Sequence, residues 1–254
     1  MSETIMMIHG MWGGSWYWAN YKAFFESKGY TCVTPTLRFH DMDPKAKPDP
    51  QFGKTSLLDY AKDLEDEIGK LGTKPILMGH SMGGLLSLIL GSRGLAKALV
   101  LLTPAPPQGV NALQPSVIWS FSSMMLAWKF WAKPGRQPLS LAVYSMLALL
   151  PPDEQKKSYE RFVYESGRAA SEIGFPNFDP NRASAVDEKK VTCPALVIGG
   201  SQDKITPASV VHKVADKYHA AYKEFPNHAH WVVAEPGWQE VAEFAADWLK
   251  KSIT

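Results

Sequence analysis

Ser81 sits in the stretch GHSMGG (79–84), and His228 and His230 sit two positions apart in FPNHAHWVVAEPGW (225–238). A serine hydroxyl is a weak nucleophile until a neighbouring base removes its proton. Histidine is the side chain whose ordinary pKa suits it to that task near neutral pH. GHSMGG has the form G-x-S-x-G and falls between the strand-like PILM and the helix-like GLLSLIL, the strand–turn–helix context that gives the motif its meaning. The backbone of such a turn is strained, and Gly79 and Gly83 are the small neighbours it needs. The turn lifts the Ser81 hydroxyl above the sheet and sets the Met82 N–H at a helix N-terminus, where it faces developing negative charge. The plain alternative is a glycine-rich turn with a bystander serine; the context favours a nucleophile.

The elements that must position these residues alternate along the chain. Short apolar runs predict strands over 4–10, 30–37, 74–80, 97–103, 193–200 and 220–226. Helical patterns fall over 16–29, 56–72, 82–94, 207–217 and 238–251. The second of them carries Leu58, Ala61, Leu64 and Ile68 on one face with Ser56 as N-cap. Continuously apolar strands alternating with helices imply a parallel sheet covered on both faces. The rhythm breaks between Pro104 and about Arg182, where the sequence is helical and rich in Trp, Met and Phe. The expected architecture is one α/β domain over 1–254. A helical cap (104–182) is inserted after the fourth strand of a core formed by 1–103 and 183–254.

Composition narrows the partners. The chain has 254 residues, is 45% hydrophobic and 20% charged, and carries a formal net charge of +2. That balance predicts neither a nucleic-acid binder nor a polybasic membrane protein. The apolar stretch LAVYSMLALLP is too short to span a bilayer, and MSETIMMIHG lacks the features of a signal peptide. Cys32 and Cys193 form no C-x-x-C, so neither a disulfide framework nor a zinc site is expected. FGKTS ends like a phosphate-binding loop, but Pro48 stands where its first glycine is required. His212 and His219 lack a metal-binding spacing, and GHSMGG is not a dinucleotide fingerprint. The expectation is a soluble cytoplasmic protein with no cofactor and no metal, acting on a small molecule.

With the elbow in this setting, the whole chain resembles the α/β-hydrolase fold family. In that family a Ser, an acid and a His follow one another along the sequence, each on a loop after a strand. The stretch VIGGSQDKITP is similar to the family's acid loop, which implies Asp203 as the acid. Placing Glu235 and Pro236 on the family's histidine-loop pattern implies His230 as the base, with Ala229 where a glycine is usual. His228 would then face away from Ser81 or rim the pocket. HGMWGG (9–14) resembles the family's oxyanion loop. It implies the Met11 backbone N–H as partner of the Met82 N–H, with Trp12 as the alternative donor. His9 would brace this loop, and His80 would point away from the nucleophile. The family's usual first two antiparallel strands are missing, so a reduced core of six parallel strands is expected.

The resemblance implies a carboxylic ester hydrolase, of the carboxylesterase or small lipase kind, working through an acyl-enzyme. The aromatic cap implies an apolar acyl or aromatic substrate group. Trp12, Met124, Trp128 and Trp231 are the pocket candidates, Met124 and Trp128 because residues four apart on a helix share a face. About half of the cap's apolar side chains are expected to be plain core packing; a homodimer face or a membrane-surface patch is a third reading, ranked below pocket and core. C–C bond hydrolysis and perhydrolysis use nearly the same parts. Hydroxynitrile lyases resemble the chain around HGMWGGSWYW but carry a Lys where Trp231 stands. A catalytically weak small-molecule receptor is the alternative outside enzymology.

Overall fold

The computed structural model describes residues Ser2–Ile253. Strands β1 (Thr4–Ile8), β2 (Thr31–Val33), β3 (Ile76–His80) and β4 (Ala98–Leu102) form the first part of the core, with helices α1 (Ala19–Ser27), α2 (Leu57–Lys70) and α3 (Met82–Ser92) between and after them. The insertion contains α4 (Pro115–Met125), β5 (Pro134–Gly135), α5 (Leu139–Ser145), α6 (Pro152–Glu160), β6 (Glu165–Ser166) and α7 (Gly167–Gly174). The core resumes with β7 (Ala195–Gly200), α8 (Ala208–Lys217), β8 (Ala221–Phe225) and α9 (Trp238–Ser252).

The main sheet is six-stranded and wholly parallel, in the order β2-β1-β3-β4-β7-β8. β3 and β4 are buried along their full length, which is why they read as unbroken apolar runs rather than alternating ones. β2 and β8 are the edge strands, and the exposed Lys223 and Glu224 of β8 suit an edge that meets solvent. The chain leaves β1 for β2 on one side and returns to β3 on the other, so the order reverses at β1. Beyond the strand C-termini at such a reversal a crevice opens.

Two local readings hold with small changes. α2 starts at Ser56, whose hydroxyl accepts from the Leu58 N–H at 3.2 Å while Asp59 accepts from the Ser56 N–H at 2.8 Å, a capping box. The helix expected over 16–29 opens with a 3-10 turn, Ser15–Trp18, before α1 begins. The insertion is helical apart from the two-residue antiparallel ladder of β5 and β6.

Two buried carboxylates fasten the insertion to the core. Glu165 accepts from Tyr60 Oη at 2.8 Å and lies 3.1 Å from His40 Nε2. Glu172 accepts from Ser56 Oγ at 2.7 Å and from the Leu57 N–H at 2.7 Å, placing negative charge on the N-terminus of α2. Burial nevertheless raises the Glu172 pKa, against the lowering effect of these donors and of Arg168.

Candidate active site

Ser81 follows β3 directly and has φ 55° and ψ −120°, a region a non-glycine residue enters only when its surroundings over-determine it. The surroundings here are close-packed. A Cβ on Gly83 would lie 2.0 Å from the Ile8 carbonyl oxygen, and one on Gly79 would lie 2.2 Å from that of Gly83. Both glycines are therefore required by the approach of α3 to β1 and β3. The Ser81 N–H donates to Leu102 O at 3.0 Å and Ser81 O accepts from the Ala105 N–H at 2.9 Å, so β4 and its following loop hold the turn on both sides.

The loops after β7 and β8 bring Asp203 and His230 together. His230 Nδ1 lies 2.7 Å from Asp203 Oδ2, and both side chains are buried. Asp203 Oδ1 accepts from the Ile205 and Thr206 N–H groups at 2.8 Å each. Thr206 Oγ1 donates to Asp203 Oδ2 at 2.8 Å and lies 3.2 Å from His230 Nδ1. A carboxylate accepts only, so the Asp203 contact fixes the proton of His230 on Nδ1 and leaves Nε2 with a free lone pair. Nε2 is buried and meets no hydrogen-bond partner among the described residues. The His230 carbonyl accepts from His80 Nε2 at 2.8 Å and from Thr103 Oγ1 at 3.3 Å. The residue next to Ser81 thus holds the backbone of His230, with the two imidazole rings 4.8 Å apart.

The two histidines of the last loop have different surroundings. His228 Nδ1 lies 2.8 Å from Glu235 Oε1, the same oxygen that accepts from the Ala229 N–H at 2.8 Å. On an extended chain residues two apart would share a side. Here a turn follows β8 at Pro226–Asn227, and Glu235 reaches back to fold the segment round itself. His228 is drawn toward Gly237 and the Phe225 ring, and His230 toward Asp203.

Met11 and Met82, the expected oxyanion donors, line the same cavity as Ser81. The Met82 N–H belongs to the first turn of α3, where no intrahelical acceptor exists. The Met11 carbonyl is turned away, accepting from Tyr17 Oη at 2.8 Å. Trp12 has φ 61°; its indole N–H donates to Gly135 O at 3.1 Å and its carbonyl accepts from the Val163 N–H at 2.9 Å, tying this loop to the cap. His9 Nδ1 donates to Gly10 O at 2.8 Å and Nε2 accepts from the Leu37 N–H at 3.1 Å. Burial, and then the proximity of His40, push the His9 pKa down to about 3. Burial, with His230 beside it, pushes the His80 pKa well below the ordinary histidine value. Both rings are neutral braces.

Above Ser81 lies a cavity of about 620 Å³. Its walls are almost wholly apolar and include Val117, Phe121, Met124, Met146, Ile173 and Phe175 from the cap. Of the four pocket candidates, Trp12 and Met124 line it. Trp128 does not: α4 ends at Met125, so Met124 and Trp128 no longer share a helical face, and Trp128 is 76% exposed. Trp231 does not either. It is buried behind the loop, edge-on to Tyr17 with ring centres 4.5 Å apart, because its neighbour His230 occupies the side facing Asp203. Thr206 escaped the sequence reading; the only signal for it was a hydroxyl three positions after an acid in a turn.

Six parallel strands, a reversal of strand order at β1 and a strained serine after β3 define a hydrolase-type α/β fold. The sequence model of the alpha/beta hydrolase fold matches residues 3–237, and the chain belongs to that family. It is 31% identical over 86 residues to Methylesterase 7 of Arabidopsis thaliana, a match covering 33% of this chain and 32% of that protein. The structure is similar to that of a methylesterase from Arabidopsis, with a TM-score of 0.74, 13% identity and 98% and 99% of the two chains covered. It is also similar to tomato Methylketone Synthase I complexed with 2-tridecanone, with a TM-score of 0.73, 15% identity and 99% of each chain covered.

Proposed function

We propose that the protein is a serine hydrolase that cleaves carboxylic esters with an apolar acyl or aromatic group through an acyl-enzyme. The observation that carries this is the 2.7 Å Asp203–His230 contact, which engages Nδ1 and leaves the buried Nε2 as the free ring nitrogen, on a loop that His80 ties to the Ser81 turn. In this reading Nε2 takes the Ser81 proton as Oγ attacks the ester carbonyl. The Met11 and Met82 N–H groups receive the charge that develops on the carbonyl oxygen. The imidazolium, stabilised by Asp203, returns the proton to the leaving alcohol, and water then releases the acid by the reverse sequence. The apolar cavity supports an acid part without fixed charge, since no charged side chain lines it. The kinship in name with methylesterases supports a small alcohol part.

The test is Ser81→Ala together with a fluorophosphonate probe and a p-nitrophenyl ester series of increasing acyl length. The wild-type protein becomes labelled at Ser81 and prefers longer acyl groups over acetate. Ser81→Ala is unlabelled and slower by at least about a thousandfold. Labelling at another residue, or a variant retaining a tenth of wild-type turnover, overturns the acyl-enzyme.

A further inference from the structure

Helix α4 carries no charged residue, and its seven non-serine residues are all apolar. A helix of that kind in a water-soluble fold is normally buried all round, and α4 is not. Its inner face carries the buried Ser120 and Met124, with Phe121 set 5.9 Å from the Trp12 ring. Its outer face carries Ile118, Trp119, Met125 and Leu126, exposed by 47%, 58%, 38% and 86%. Ile118 and Met125, and likewise Trp119 and Leu126, are seven apart, so the four form one outward stripe. The turn that follows adds Trp128 and Trp131, exposed by 76% and 51%. Across the cavity mouth, Phe178 is 86% exposed; it lines the same opening as Ile118 and Met125.

The charges around this stripe have one sign. No Asp or Glu occurs between Glu67 and Asp153, while Lys129 and Lys133 are exposed within the aromatic segment. The Lys129 ammonium lies 6.0 Å from the Trp128 ring centre. The carboxylate beside Phe178, that of Asp179, is half-buried and accepts from the Ala183 and Asn181 N–H groups. Exposed Trp and Leu flanked by Lys are the composition of surfaces that lie in a lipid headgroup layer. A second protein of ordinary acidic character would match the lysines but not exposed apolar side chains of this extent, interrupted only by Ser122.

We infer that the outer face of α4 and the turn through Trp131 form a docking surface for an anionic lipid layer, seated at the mouth of the cavity above Ser81. No helix among the described residues is long and apolar enough to cross a membrane, so the contact is peripheral. Trp119, Leu126 and Trp128 enter the headgroup region while Lys129 and Lys133 meet lipid phosphates. The face delivers apolar molecules from the lipid phase to the opening between Ile118, Met125 and Phe178. Lipid binding does not depend on what Ser81 does.

The test is flotation of the purified protein with vesicles of phosphatidylcholine alone and of phosphatidylcholine mixed with phosphatidylglycerol. Wild-type protein floats with the mixed vesicles and weakly with the neutral ones, and added salt reduces the difference. Each cation at an anionic leaflet strengthens partitioning about fivefold, so Lys129→Glu with Lys133→Glu lowers binding to mixed vesicles by at least about twentyfold. Trp119→Ser with Leu126→Ser lowers binding to both vesicle types. Thermal melts of the variants that match wild type show that the losses are local. Failure of the wild-type protein to float overturns the inference whatever its esterase activity. So does a wild-type dimer in sedimentation that Trp119→Ser with Leu126→Ser converts to monomer, which would assign the face to a second copy of the chain.

Discussion

Alanine at His230 and alanine at His228 should damage the protein in opposite ways. His230→Ala removes the imidazole in contact with Asp203. The acid keeps three donors, the Ile205 and Thr206 N–H groups and the Thr206 hydroxyl, so folding suffers little. On the proposed mechanism turnover should fall by at least about a thousandfold, because that mechanism makes His230 the base for Ser81. His228→Ala instead breaks a buried contact of 2.8 Å with Glu235. One carboxylate oxygen of Glu235 keeps only the Ala229 N–H, and the other is already buried without a partner among the described residues. Removing one member of a buried pair costs about 3 kcal/mol. In a chain of this size each kcal/mol lowers the melting temperature by about 2–4 °C, giving a fall of about 6–12 °C. The assay pairs thermal melts with p-nitrophenyl ester turnover well below the transition. A His228→Ala protein that melts like wild type but is inactive, beside an active His230→Ala, would refute both the choice of base and the structural role of Glu235.

Thr206→Val keeps the backbone donors to Asp203 Oδ1 but removes the hydroxyl 2.8 Å from Oδ2. A hydrogen bond to a charged group is worth about 1.5–3 kcal/mol, so kcat should fall by about ten- to a hundredfold with KM little changed; an unchanged kcat would remove Thr206 from the site. Phe121→Ala opens the cavity wall beside Trp12 and should raise the ratio of long-chain to acetyl ester turnover, whereas equal loss on every ester would mark Phe121 as packing only. Stability should fall as pH drops below neutral. Native His9 stays unprotonated down to about pH 3, while the unfolded chain takes that proton near 6.5. The unfolded state therefore binds more protons in this window, and stability present above about pH 6.5 is lost at up to about 1.4 kcal/mol per pH unit. Burial lowers the His80 pKa in the same direction and adds to the slope. Urea midpoints that stay flat from neutral pH downward would contradict this.

Much of the core was legible in the chain because its signals are local. The inner strands of the main sheet are short apolar runs bounded by turns or helical periods, whereas the edge strand β8, with Lys223 and Glu224, departs from that pattern. The elbow is local as a motif, since the glycines at 79 and 83 are separated from Ser81 by one residue each, but only the Gly79 clash lies within the turn; the one that demands Gly83 comes from the Ile8 carbonyl of β1. The cap was legible only as a class. Its apolar residues announce helices, but whether Trp128 or Val117 faces the cavity depends on where α4 ends and how it rolls against Trp12. A stop at Met125 has no glycine or proline to announce it.

The sequence by itself determined the alternating strand and helix order, the position of the serine turn and the insertion point of the cap, since each is written in a short local pattern of residue types. Tertiary structure alone decided how the distant loops meet. Thr206 lies between Asp203 and His230 because the loops after β7 and β8 emerge side by side from adjacent parallel strands. His228 and His230 part company because Glu235, seven and five residues further on, folds the segment back to satisfy its own buried carboxylate. A buried acid must find donors wherever the fold supplies them, and those donors are set by packing in three dimensions rather than by spacing along the chain.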